Sequence, residues 1–306
     1  MVYRQADNRK LLSYGPYTKH NRPQVSMSHT KERTRQRFAE TVAHEDGEIE
    51  LAEAALLIAA EEYPNLIITD YLRKLDRFAE EARQGIAPAR APIEMINGLN
   101  RTIFHELGFQ GNTEHYYDPR NSFLSQVIDR RKGIPITLSV VYVEVARRIG
   151  LDLLPVGLPG HFLVKHAGPG GELFIDPFNG GRVMNESEVA GLLAEVTNGR
   201  LKLSSEHLTP VTNKQILIRI LANLYGVYAR GMDYTRALAA VERMLLIAPN
   251  TASHVRDRGM LLAAMNKTSD AVADLEHYLE LAFDAKDAEM VRDRIKEVKL
   301  SKARLN

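Results

Sequence analysis

Two side chains in the middle of the chain, His161 and Asp176, carry the clearest chemical signal. They lie in "GLPGHFLVKHAGPGGELFIDPFNGG", residues 157–181, one at the head of an apolar run and the other at the end of the next. On adjacent strands they would form a base and its orienting carboxylate, a pair that awaits a nucleophile. The 306 residues include no cysteine, so a thiolate nucleophile and thiolate metal ligands are excluded outright. A metal reading would join His161 and Asp176 to His166, His105 or His115. Residues five apart on a strand point to opposite faces, however, and no HxxxH or HExxH is present, so no metal and no cofactor is expected. "RRKG" (Arg130–Gly133) sits at an expected helix C-terminus, where the helix dipole disfavours a phosphate.

The elements around the pair divide the chain. Residues 1–35 are polar, basic and without periodicity, and read as a flexible arm. From Glu48 to Glu81 apolar residues recur at helical spacing, broken at Pro64-Asn65, with Asp70 available to cap the second helix. "APARAP" (Ala87–Pro92) reads as a linker, and the helix after it closes at Gly108. "NSFLSQVIDRRKG" predicts a short helix capped by Asn121 or Ser122. "IPITLSVVYVEVARRIG" predicts a buried helix with Pro135 in its first turn, ended by Arg147, Arg148 and Gly150. "LDLLPVGL", "HFLVKH" and "ELFIDPF" follow as antiparallel strands with "AGPGG" as a hairpin loop. Residues 185–210 add a short helix and a connector.

From Asn213 onward the chain is helical and repeats. Leu224, Tyr228, Ala237, Leu245 and Ile247 recur 34 residues later as Arg258, Leu262, Ala271, Leu279 and Leu281, the tetratricopeptide spacing. The second unit is degenerate, with Arg258 in an apolar slot and Phe283 where the first has Pro249. Two units fall short of a free-standing array, so they are expected to lean on what precedes them.

The run from "YYDPRNSFLSQVIDRRKGIPITLSVVYVEVARRIG" through "PGHFLVKH" and "FIDPFNGG" resembles the SirB-type bacterial family, from about Glu48 to the end. That resemblance implies a papain-like α+β transglutaminase-like domain behind a helical lead-in, followed by an all-α tetratricopeptide tail. The expected divisions are 1–35, 36–210 and 211–306. It also implies a triad in which His161 and Asp176 fill the second and third places. The cysteine place falls near Pro135–Thr137, where the text is "GIPIT". Thr137, or Ser139, is the hydroxyl left to serve. The expected function is therefore a non-catalytic module that binds a protein or peptide, with a regulatory use open to it. The rival is a hydrolase or acyl-transferase using Thr137 with His161 and Asp176. Tyr116, Tyr117 and Asn121 are expected to line the cleft, and Tyr228 and Tyr234 the concave surface of the tail. Net charge is +1, which gives no bulk attraction to nucleic acid or anionic lipid. The chain also shows no ~20-residue apolar run and no signal peptide, so a cytoplasmic location with no membrane or nucleic-acid partner is expected.

Overall fold

The computed structural model describes residues 27–86, 91–168 and 171–305. Residues 1–26, most of the expected arm, lie outside them, as do 87–90 of the linker and the hairpin tip at 169–170. The end of the expected arm is helical: α1 spans Met27–Ala43 and buries Phe38 and Val42. Helix α2 (Leu51–Glu62) is apolar on nearly every side and lies at the centre of the lead-in. Helix α3 (Ile68–Gln84) is amphipathic, burying Leu75, Phe78, Ala79 and Ala82. Asp70 sits inside its first turn, paired with Arg73, and Ile67 takes the cap position instead. Helix α4 (Pro92–Asn100) opens on proline and widens into a π-helical stretch at Arg101–Glu106, ending at Gly108 with φ +73°.

Strand β1 (Gln110–Gly111) pairs in parallel with β2 (Lys132–Gly133) across α5 (Leu124–Arg130). Helix α5 begins later than expected. Phe123 is its cap residue, while Asn121 closes a 3-10 turn before it. Helix α6 (Pro135–Arg148) has Pro135 in its first turn, where the missing N–H leaves no bond unmade, and is buried over almost its whole length. Strands β3 (Leu154–Val156), β4 (Leu163–Gly168), β5 (Gly171–Asp176) and β6 (Arg182–Met184) form an antiparallel sheet in that order. Strand alternation divides its side chains between two cores. Val164 and Ile175, paired across β4 and β5, join the main core with α6. Leu163, Phe174 and Met184 face a second core with Val189 of α7 (Glu186–Val196).

The tail comprises α8 (Asn213–Arg230), α9 (Tyr234–Ile247), α10 (Ala252–Ala264), α11 (Thr268–Leu281) and α12 (Ala288–Leu305). Ala237 and Ala271 are fully buried at matching positions of the two repeats. Arg258, the odd residue in an apolar slot, is accommodated by Asp274, which accepts two hydrogen bonds at 2.6 and 2.7 Å from its guanidinium. The tail does lean on the rest: α8 packs on α2 and α6, and α9 on α1. Arg35 of α1 bridges Glu61 of α2 and Glu242 of α9, and buried Arg243 donates to the Ile58 carbonyl. Two repeats thus share a core with the lead-in helices, in place of the neighbouring repeats a longer array would supply.

Candidate functional site

Asp176 ends β5, and its carboxylate is saturated. Oδ1 accepts the backbone N–H groups of Phe178 and Asn179 at 3.0 and 3.2 Å. Oδ2 accepts the Asn179 side-chain amide at 2.7 Å and faces His161 Nε2 at 2.9 Å. The turn that follows needs Gly180 and Gly181, both at positive φ. A Cβ on Gly181 would come within 2.2 Å of the Asn100 side chain, which also donates to the Gly181 carbonyl and accepts from Tyr142. The end of α4 and the middle of α6 therefore clamp the loop that aims Asp176.

His161 enters from the other side, just ahead of β4, after Gly160 at φ +78°. Because the Asp176 carboxylate accepts, Nε2 carries the proton and Nδ1 is the nitrogen left for a visitor. The ring is packed edge-on against Phe178, which in turn meets Tyr116. From α8, Arg219 donates to the Leu158 and His161 carbonyls at 2.6 and 2.7 Å and lies over the Phe162 ring. The tail thereby fixes the loop that carries His161.

These groups surround a cavity of about 260 Å³. Its walls are Ile134, Pro135 and Ile136 at the start of α6, Gly160 to Phe162, Tyr116, and Arg219 with Asn223 from α8. The helix start that would hold a nucleophile thus presents an imino ring and aliphatic carbon. Thr137 is not in that wall. It is fully buried, and its hydroxyl donates to the Asn121 carbonyl at 2.7 Å while accepting the Ile134 N–H at 3.2 Å. Ser139 is also buried, and its hydroxyl has no partner among the described residues.

Asn121 is fully buried and ties its loop together. It accepts from Asn112 at 2.9 Å and donates to the His115 carbonyl at 2.7 Å. Tyr117 is 61% exposed, with the Arg230 guanidinium 4.2 Å from its ring centre. Tyr116 lines the cavity, and burial pushes its phenol pKa up. Tyr228 is half-buried beside Arg236, which pairs with Glu62 of α2 at 2.7 Å. Burial, then the Glu62 charge, raises its pKa too. Tyr234 is half-buried against the main core. Of the three residues expected in the cleft, Tyr116 thus lines the cavity while Tyr117 and Asn121 do not, and Tyr228 and Tyr234 lie apart on α8 and at the start of α9. Arg219 and Asn223 were not anticipated. Their only signal was two polar residues four apart, on one face of the otherwise apolar "ILIRILANLYG". Among the described residues no group of three or more His, Asp or Glu is disposed to hold a metal ion.

The family model of the transglutaminase-like superfamily matches residues 69–222, and that of a tetratricopeptide repeat matches 224–296. The two matches meet within α8, the helix that both closes the cavity and opens the repeats. A UPF0162 protein of Xylella fastidiosa is 38% identical over 265 residues, covering 85% of this chain and 93% of the relative. A UPF0162 protein of Vibrio cholerae is 29% identical over 248 residues, covering 81% and 92%. F-box only protein 21 of Pongo abelii is 31% identical over 155 residues, 47% of this chain and 24% of that protein. With a transglutaminase-like domain running into tetratricopeptide repeats, and kinship along most of its length, the chain belongs to the SirB-type UPF0162 family.

Proposed function

We propose that the protein is a non-catalytic binding module, in which the former catalytic cleft and the repeat tail together receive a protein or peptide. One observation carries this reading. The cavity beside His161 is walled at the start of α6 by Ile134, Pro135 and Ile136, and no serine or threonine of the described residues lines it. The pair therefore lacks the serine or threonine nucleophile that the triad's acyl-transfer chemistry would use. The His161–Asp176 pair then serves as a buried polar clasp between the loop ahead of β4 and the end of β5. Tetratricopeptide repeats are in general protein-interaction surfaces, which supports a partner for the tail. A cytoplasmic location suits a chain without cysteines, and a regulatory role would follow from what is bound.

The rival reading, a hydroxyl nucleophile at Thr137, requires that hydroxyl to leave the Asn121 carbonyl and swing into a cavity it does not line. The test is fluorophosphonate labelling and amine incorporation by the full chain. No labelling and no incorporation above the level of His161→Ala is expected. Labelling of the wild type that disappears in His161→Ala would overturn the reading.

A further inference from the structure

Arg219 is a cation without a counter-ion. Nη2 donates to two carbonyls, but among the described residues the guanidinium has no carboxylate in ion-pair range, and its other N–H groups have no acceptor. Burial lowers its pKa, and the one neighbour pushing the other way is the Tyr116 phenol. The carboxylate of the site, Asp176, bonds the Nε2 edge of the His161 ring and is already saturated by His161, Asn179 and two backbone N–H groups. One turn along α8, the Asn223 amide also faces the cavity without a partner among the described residues. A half-buried guanidinium is costly unless something balances it.

The rest of the cavity narrows what that something is. At about 260 Å³ it is smaller than the roughly 300–1,000 Å³ of sites for drug-sized ligands, so it suits about one amino-acid residue. In the neutral ring, with its proton on Nε2 toward Asp176, His161 Nδ1 offers a lone pair, which accepts an N–H. Ile136 and Phe162 offer apolar surface. A dianion such as phosphate would sit opposite one guanidinium with the Asp176 charge behind it, which disfavours it.

We propose that the cavity captures the carboxylate of an N-acylated amino acid with an apolar side chain: the carboxylate on Arg219 and Asn223, the amide N–H on His161 Nδ1, the side chain against Ile136 and Phe162. The last residue of a peptide and a free N-acyl amino acid present the same groups. This deepens the binding reading above and rests on it.

The test is calorimetric titration of the full chain with acetyl-Gly-Gly-X peptides (X = Ala, Val, Leu or Phe), their C-terminal amides, N-acetyl-leucine and inorganic phosphate. At least one free acid is expected to bind about tenfold or more tighter than its amide, the difference made by charge-assisted bonds. Asn223→Leu leaves the Arg219 anchors to Leu158 and His161 in place, and is expected to weaken the acid about fivefold while barely moving the amide. Arg219→Gln, checked for folding by circular dichroism, abolishes the preference for acid. A tripeptide that binds more tightly than N-acetyl-leucine marks a chain terminus as the source; equal affinity marks the free N-acyl amino acid. Equal binding of acid and amide, no binding by any acid, or tighter binding by phosphate overturns the proposal. Peptide turnover with the acid preference intact would instead sink the binding-only reading and leave carboxylate capture standing.

Discussion

Thr137→Val separates a structural hydroxyl from a chemical one. The substitution is close to isosteric but removes both hydrogen bonds of a fully buried side chain. It strands the Asn121 carbonyl and the Ile134 N–H, each on a residue with at most 3% of its surface exposed. An orphaned buried backbone group costs about 1–3 kcal/mol, and burying one polar hydroxyl fewer offsets part of it. The expected loss is therefore about 2–4 kcal/mol of unfolding free energy. Thr137→Ser keeps both bonds and loses only a buried methyl, which costs about 1 kcal/mol. Urea unfolding reads this as a lower midpoint for the valine variant with an unchanged slope. A valine variant within about 0.5 kcal/mol of wild type would refute the structural assignment, since that is the range of neutral surface changes.

Three further expectations follow from the packing. Glu61→Gln removes the carboxylate shared by Arg35 and Arg243 and leaves the buried Arg243 guanidinium unbalanced, so a loss of about 3 kcal/mol is expected. The double variant Glu61→Gln/Arg243→Met should regain most of it in the same unfolding assay, whereas additive losses would contradict the coupling. Arg258→Leu alone strands Asp274 and should lower the thermal midpoint, and Arg258→Leu/Asp274→Leu should restore it; a single variant as stable as the wild type would contradict that account. His254 is half-buried and its Nδ1 has no partner among the described residues, so burial lowers its pKa against the weaker pull of Asp257. The unfolded chain therefore binds the proton more readily, and stability present above about pH 6.5 is lost as pH falls below it. His254→Gln should flatten that part of the stability profile, and an unchanged slope between pH 7 and 5 would rule the residue out.

Features set by local pattern were legible in the sequence. The His161–Asp176 pair was readable because each residue marks the edge of an apolar run and the runs are joined by one short hairpin. The buried helix after Pro135 declared itself through an all-round apolar sequence, and the repeats through a 34-residue period. What depended on distant packing was not legible. Among the residues of α1 whose burial is described, only Phe38 and Val42 are large buried side chains, and the mostly polar sequence around them hides that α1 packs on α2 and α9. Asp70 and Asn121 have the side chains of cap residues, yet Asp70 pairs with Arg73 one turn along the same helix and Asn121 is spent within its own loop at 112–121. Arg219 lies 58 residues beyond His161, and only the docking of α8 on α6 brings them together. The expected cleft residues clustered near Thr137 because sequence proximity was the available guide, whereas the cavity is closed by the tail.

The central claim is that the cleft holds a ligand and does not transform it. Mass spectrometry of the full chain with a stoichiometric free-acid peptide, sampled over hours, tests this directly. The peptide should be recovered intact and the protein at its unmodified mass while calorimetry registers binding. A covalent adduct or cleaved peptide seen with wild type and absent with His161→Ala would contradict it.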